Sequence, residues 1–149
     1  MTTDVDAHAL PHLRAAKDRM DLDFAEPLDL DALAAAAGYS RFHFLRAFRA
    51  AYGETPRAYL TRRRIERAKT LLRSANLTVT EICHVVGFSS LGSFSARFTE
   101  LVGVSPSRYR AEVVERGGPP PVPGCFVMMW TRPHDDAAIG EKPADLGRQ

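Results

Sequence analysis

One pattern occurs twice in this 149-residue sequence, and the second copy follows the first after about 50 residues. Each copy has a short apolar segment that ends in glycine, then two phenylalanines, then a Thr-Pro or Ser-Pro pair and a tyrosine. The offset is 49 residues up to the glycine and 50 after it, so the second copy carries one extra residue just past Gly87. The chain is thereby constrained to form two similar units. The matching pairs are Ala34 and Cys83, Gly38 and Gly87, Phe44 and Phe94, Phe48 and Phe98, Pro56 and Pro106, and Tyr59 and Tyr109.

Capping residues and apolar spacing predict where the helices begin. Asp29 and Ser40 are good N-caps, and Thr78 with Glu81 forms a capping box. Pro56 suits the first position of a long helix, because no helical hydrogen bond needs its missing N–H. Together with a start confined by Pro11, these signals predict helices over residues 8–20, 30–37, 41–51, 56–74, 79–86, 90–101 and 106–116.

The predicted fold is all-α: two helix-turn-helix subdomains joined by a long linker helix, about seven helices in all, with a short C-terminal extension. Gly38, with positive φ, and Gly87 are expected to form the turns. We expect five segments: a flexible N-terminus over 1–7, a first subdomain over 8–55, the linker helix 56–74, a second subdomain over 75–116, and a Pro/Gly-rich, partly disordered extension over 117–149.

The linker helix has an apolar inner face and an arginine-rich outer face. The inner residues are Tyr59, Leu60, Ile65, Ala68, Leu71 and Leu72. The residues expected around the rest of this helix are Arg57, Arg62, Arg63, Arg64, Arg67, Lys69 and Arg73. Some of these arginines are expected to pair with Glu66 or with aspartates.

Positive charge is concentrated where the repeat lies. Residues 40–110 hold thirteen basic and four acidic side chains, a net charge of +9, whereas residues 1–39 have −5 and residues 111–149 have −2. A surface that binds a polyanion such as DNA needs this distribution. A solvated arginine-rich helix is the alternative explanation.

The sequence argues against a membrane protein, a metal site and a catalytic site. No segment approaches the roughly 20 apolar residues of a membrane span, and the N-terminus has no signal peptide, so a cytoplasmic protein is expected. His8 and His12 lack a third ligand, and Cys83 and Cys125 fit no zinc or disulfide spacing. Cys83 is expected to be a small core residue, with the adjacent His84 pointing away from it. We expect no cofactor.

The extension contains an apolar run, Cys125–Trp130, after the Pro/Gly-rich segment. It is expected to pack back on the helical domain as a short strand-like segment. A surface for a partner or a small effector is the alternative interpretation.

Taken together, these motifs resemble the DNA-binding domain of the AraC/XylS family of transcriptional regulators over roughly residues 10–112. The segments that carry the resemblance are Glu26–Ala34, Gly38-Tyr39-Ser40 with Phe44 and Phe48, Arg62–Ala68, Thr80–Ser89, Phe94–Phe98 and Gly103–Arg110. The paired units with this linker are far more specific than a single helix-turn-helix match.

The resemblance implies about seven helices and a monomer that places two recognition helices in successive major grooves of double-stranded DNA. The 19-residue linker rises ~28 Å, close to the ~34 Å between such grooves. We expect no sensory domain in a chain of this length, and the chain therefore resembles the stand-alone, MarA/SoxS-like architecture. The family also implies an activator that contacts RNA polymerase, and hence a nucleoid-associated protein.

The outward face of each second helix supplies the candidate DNA contacts. By matching position, the resemblance places base contacts at Phe42, Leu45 and Arg46. Arg46 suits a bidentate contact to guanine, with a phosphate contact or a surface ion pair as alternatives, and Phe42 suits a thymine methyl group. The full set of expected base-contacting residues is Arg41, Phe42, Leu45, Arg46, Ser90, Leu91, Ser95 and Ala96.

Phosphate contacts are expected from hydroxyl and guanidinium groups and from the helix N-termini after Pro56 and Pro106. Arg41 is an expected phosphate contact as well. The other residues in this group are Ser40, Arg49, Arg57, Arg62, Ser93, Arg97 and Ser107.

The second recognition helix has short outward side chains, and Gly92 weakens it, so we expect it to contribute mainly through phosphates. Two other functions stay open. One is a helical protein-interaction adaptor, and the other is an effector-binding regulator whose C-terminal tail forms a ligand or partner site.

Overall fold

The computed structural model describes residues 9–117, and these residues form seven α-helices. The helices are α1 (Leu10–Leu22), α2 (Leu30–Ala36), α3 (Arg41–Tyr52), α4 (Pro56–Ser74), α5 (Val79–Val85), α6 (Leu91–Val102) and α7 (Pro106–Glu115). The predicted all-α class and the number of helices are confirmed for this part of the chain. None of the seven helices combines the length and hydropathy that a membrane-spanning helix requires.

Five of the predicted helix starts, at residues 30, 41, 56, 79 and 106, are confirmed, because each depends on a capping residue next to it, whereas α1 begins at Leu10, two residues after its predicted start. The carboxylate of Asp29 accepts the N–H of Ala32, and the hydroxyl of Ser40 accepts the N–H of His43. Thr78 and Glu81 form both hydrogen bonds of the capping box. Such caps satisfy amide groups that have no partner within their own helix.

The boundary of α6 differs from the prediction by one residue. Ser90 is the N-cap of α6 and not its first helical residue, since its hydroxyl accepts the N–H of Ser93 at 3.2 Å. The equivalent cap in the first copy is Ser40. The extra residue of the second copy therefore lies in the turn that follows Gly87, as expected.

Each unit has its own hydrophobic core, and α4 contributes to both. In the first core, α1, α2 and α3 bury Leu13, Ala34 and the pair Phe44 and Phe48 against Leu60 of α4. The second core contains α5 and α6 and the other end of α4. Its buried residues are Ile65, Ala68, Leu71, Leu72, Ala75, Leu77, Ile82, Cys83, Val86, Phe94 and Phe98.

The predicted inner face of the linker helix is therefore confirmed, because all six of its residues are buried. One arginine assigned to its outer surface is not there: Arg64 is half-buried and turned towards the loop between α1 and α2. Sequence periodicity misplaced it because its partners are backbone carbonyls of a distant segment. The expectations for residues 1–8, for the Pro/Gly-rich segment and for Cys125–Trp130 lie outside the described residues.

Candidate nucleic-acid interface

Helix α3 presents a polar and cationic face away from the first core. Phe44 and Phe48 are fully buried, and their rings lie 5.8 Å apart, which fixes the rotation of the helix about its axis. Arg46 therefore lies on the opposite, exposed side, and Phe42 is 78% exposed. Arg41 and Arg49 are also exposed, whereas Leu45 is half-buried.

Phe42 is a large apolar side chain that is exposed at the start of α3. It lies four residues before Arg46, so the two side chains share one face of α3. An apolar ring beside a guanidinium suits the floor of a major groove, where thymine methyl groups alternate with guanine acceptors. The sequence-based placement of these two residues on one outward face is confirmed by their exposure, while their contacts with bases stay a prediction.

Helix α6 is oriented by a buried phenylalanine pair as α3 is, but its exposed face carries smaller and fewer basic side chains. Phe94 and Phe98 are fully buried, like their counterparts in α3. The exposed side carries Leu91, which is 43% exposed, together with Gly92, Ser93 and Ala96, while Ser95 is half-buried. These side chains offer few hydrogen-bonding groups that could read a base edge.

Several basic residues of the predicted interface are paired with carboxylates. Arg62 donates to Glu54 at 2.7 Å and to Glu66 at 2.9 Å, and these hydrogen bonds raise its pKa. Arg97 pairs with Glu100 at 2.7 Å on the exposed surface of α6. Arginines of the linker helix thus do pair with Glu66, as the sequence led us to expect.

The pairing changes what these two arginines can contribute to an anion site. The guanidinium of Arg62 also lies 5.3 Å from the centre of the Tyr59 ring, so its position is fixed from three sides. Arg97 belongs to an exposed pair, which is worth little in free energy and separates readily. Arg49 and Arg57, in contrast, are exposed, and no ion pair within residues 9–117 involves them.

The N-termini of α4 and α7 have matching geometry. Each begins with proline after a capping hydroxyl, with Thr55 accepting from Ala58 at 3.2 Å and Ser105 accepting from Arg108 at 3.3 Å. Amide groups at such helix starts carry partial positive charge that favours phosphate. Arg57 and Ser107 follow the two prolines and are exposed.

Cys83 and His84, which were considered for a catalytic pair, are placed as expected. Cys83 is fully buried, its thiol pKa is raised by burial, and the neighbouring His84 is exposed. Burial of the thiol makes a reactive thiolate unfavourable.

The sequence did not reveal the structural role of two arginines, Arg64 and Arg110. Arg64 donates to the carbonyls of Phe24 and Glu26, both at 2.6 Å, and Arg110 donates to those of Leu72 and Ala75 at 3.2 and 3.3 Å. No periodic signal marks such contacts, because a guanidinium on a basic helix face looks the same in sequence whether it meets solvent or a carbonyl.

A family model described as a helix-turn-helix domain matches residues 33–112. The transcriptional activator AarP of Providencia stuartii is 41% identical over 83 residues, which are 56% of this chain and 62% of AarP. The chain spans less than two thirds of the length of the first curated relatives that it matches.

Solved structures share the fold at similar levels of identity. The DNA-binding domain of AdpA, solved in complex with a target DNA, is 32% identical, with a TM-score of 0.67 over 70% of this chain and 94% of that domain. An AraC-type DNA-binding domain protein from Chromobacterium violaceum is 30% identical, with a TM-score of 0.65 over 72% of this chain and 96% of that one.

Proposed function

Since the chain belongs to the AraC/XylS family, we propose that it is a sequence-specific DNA-binding transcriptional regulator that contacts DNA through α3 and α6. One observation carries the proposal. In both units a buried phenylalanine pair turns one face of the second helix outward, and the residues that cap this helix at its two ends recur 50 residues apart. A duplicated, outward-facing helix is the geometry that major-groove recognition requires.

The contacts within this proposal divide between bases and phosphates. Arg46 and Phe42 of α3 read base edges, with Arg41 and Leu45 beside them, while Leu91, Ser95 and Ala96 are the residues of α6 nearest to bases. Ser90 caps α6 as Ser40 caps α3, and each hydroxyl accepts a backbone N–H while keeping its own proton to donate to DNA. The phosphate-contacting residues are Ser40, Arg49, Arg57, Ser93, Arg97 and Ser107, while Arg62 contributes less, since Glu54 and Glu66 balance its charge.

We further propose that one monomer occupies two successive major grooves and activates transcription by contacting RNA polymerase at its DNA site in the nucleoid. Two recognition helices within one polypeptide remove the need for a dimer, which is how single-unit helix-turn-helix proteins reach two grooves. The relatives are described as regulators of transcription, and AarP as an activator, which supports this proposal.

Binding selection from a random pool of duplexes with purified protein tests the proposal. We expect a selected sequence with two short half-sites about one helical turn apart, and a 1:1 complex by analytical ultracentrifugation. The affinity should exceed that for unrelated duplex by about 10³-fold or more and should fall as salt rises. Recovery of no sequence preference, with no binding at low ionic strength, would contradict the proposal and favour a protein-interaction adaptor.

Activation requires a separate measurement. Transcription in vitro from a promoter carrying the selected site should rise when the protein is added to RNA polymerase. A fall in transcript at saturating protein would instead identify a repressor while leaving the DNA-binding proposal intact.

A further inference from the structure

The turn of the second unit lies directly against a loop of the first. Gly87 has a φ of +98°, and a Cβ atom built there would lie 2.6 Å from the carbonyl oxygen of Ala25. Ala25 belongs to the loop between α1 and α2. At the matching glycine of the first unit, Gly38, φ is +77° and a Cβ atom would meet no atom within 4 Å. The close approach is therefore specific to the contact between the units.

Arg64 holds the same loop from the side of the linker helix. Its Nε and Nη2 atoms donate to the carbonyls of Phe24 and Glu26, both at 2.6 Å. Its guanidinium also lies 5.9 Å from the centre of the Phe88 ring, next to Gly87. Burial lowers the pKa of Arg64. Burying a guanidinium costs free energy unless its N–H groups are hydrogen-bonded, and two of those of Arg64 are. One side chain thus connects a loop of the first unit, the linker helix and the turn of the second unit.

Phe24 completes this contact. It packs against the core of the first unit and also against the core of the second. We name the set Phe24, Ala25, Arg64, Gly87 and Phe88 the junction. Apart from α4, which is continuous between the cores, the junction is a second place where the two units touch.

We propose that the junction fixes the angle and separation of the two recognition helices, and so determines which half-site spacing the protein accepts, with Arg64 as a positioning residue. The inference rests on the proposed DNA-binding function. A single helix of 19 residues bends and twists about its axis, so α4 alone would leave the two units some freedom. A second contact away from the axis of α4 removes that freedom.

A spacing series measures the effect on DNA recognition. Duplexes carry the selected half-sites at the selected separation or with one base pair inserted or removed, which moves one half-site by about 3.4 Å and about 34°. The wild-type protein should lose about tenfold or more in affinity on the shifted duplexes, comparable to the cost of a mismatched base pair. Arg64→Ala should bind the three spacings within about threefold of each other.

Two controls separate positioning from charge and from stability. Arg73→Ala removes the same charge from an exposed position on α4, and it should keep the wild-type preference for one spacing. Arg64→Lys retains the charge without the planar fork that reaches two carbonyls, and it should lose the preference as Arg64→Ala does. Equal weakening on all three duplexes, with the preference unchanged, would overturn the proposal and leave Arg64 a residue that only supports the fold.

A measurement without DNA tests the junction independently of the proposed function. Ala50→Cys and Glu100→Cys place spin labels at exposed, matching positions of α3 and α6 in a Cys125→Ser background, and Cys83 is fully buried. Double electron–electron resonance should give a narrow distance distribution, which Arg64→Ala broadens at unchanged helical content.

If Arg64→Ala fails to fold, Gly87→Ala replaces it, with Gly38→Ala as the matched control. Both introduce a side chain at positive φ, and only Gly87→Ala presses on the backbone of Ala25. Broadening in Gly87→Ala alone supports the proposal. An equally narrow distribution in the wild type and in every junction variant refutes it, whatever the DNA result.

Discussion

The hydroxyl of Tyr59, in the first turn of α4, donates a 2.6 Å hydrogen bond to the carboxylate of Asp21 near the end of α1. Asp21 also accepts from Nε of Arg63 at 2.9 Å. Tyr59 is only 3% exposed, and its ring lies against that of Phe48, which orients α3. A polar contact between α1 and the linker helix therefore supports the residue that sets the direction of the first recognition helix.

Burial and the hydrogen bond to Asp21 raise the pKa of Tyr59 above its ordinary value near 10. The neutral phenol is thus stabilised in the folded state. This contribution to the free energy of unfolding is fully present below pH 10 and is lost as the pH rises towards the raised pKa. At pH 7.5, near neutrality, Tyr59→Phe should lower the free energy of unfolding by about 1.5 kcal/mol.

Chemical denaturation between neutral pH and pH 11, a range that brackets the ordinary tyrosine pKa, tests this dependence. The difference between wild type and Tyr59→Phe should shrink above pH 10. Tyr109→Phe is the control, because the hydroxyl of Tyr109, which matches Tyr59 in the repeat, makes no hydrogen bond to a carboxylate within residues 9–117. A difference that stays constant up to the highest pH would contradict the assignment.

Sequence patterns predict those features of the structure that depend on residues close together in the chain, and they miss contacts between residues that are far apart in it. Caps at Asp29 and Thr78 and the buried pair Phe44 and Phe48 were predictable, since each depends on residues three or four positions apart. The role of Arg64 was not, because its acceptors lie 38 and 40 residues away. Distant pairings of that kind depend on how the loop after α1 folds back onto α4.

In the candidate interface, too, the sequence predicts local features and misses distant contacts. The outward positions of Phe42 and Arg46 followed from the phenylalanine spacing alone. The ion pair between Arg62 and Glu54 could not be predicted from that spacing. Glu54 lies before the helix, and the turn at Gly53, where φ is +76°, brings it close to Arg62. Local periodicity gives the face on which a side chain lies and leaves its partner undetermined.

Arg46→Ala should cost about 1–3 kcal/mol of binding free energy on the selected site and relax the preference at one base pair. The reason is that an exposed arginine on α3, flanked by Phe42, is placed for a bidentate contact to guanine. Fluorescence anisotropy with the selected duplex and its single-base variants measures this. Arg49→Ala is the matched control and should weaken binding to all of these duplexes alike. A uniform loss in Arg46→Ala would make Arg46 a phosphate contact.

Randomising the half-site under α6 should reduce affinity less than randomising the half-site under α3. The exposed side chains of α6, among them Leu91 and Ala96, have few groups that discriminate bases, whereas α3 has Arg46. The half-site under α3 is the one in which Arg46→Ala relaxes the preference at one base pair. Competition binding with the two half-randomised duplexes gives the comparison, and equal losses would show that α6 reads sequence as strongly as α3.

The salt dependence of binding should distinguish free from paired arginines. If about six phosphates are neutralised, a plot of log K against log salt has a slope of about −5. Arg57→Ala should reduce the magnitude of that slope by about 1, because Arg57 is exposed near the start of α4. Arg62→Ala should change it less, since Glu54 and Glu66 already balance the charge of Arg62. Titrations over a range of salt concentrations measure both variants, and an equal change would show that Arg62 leaves its carboxylates to bind phosphate.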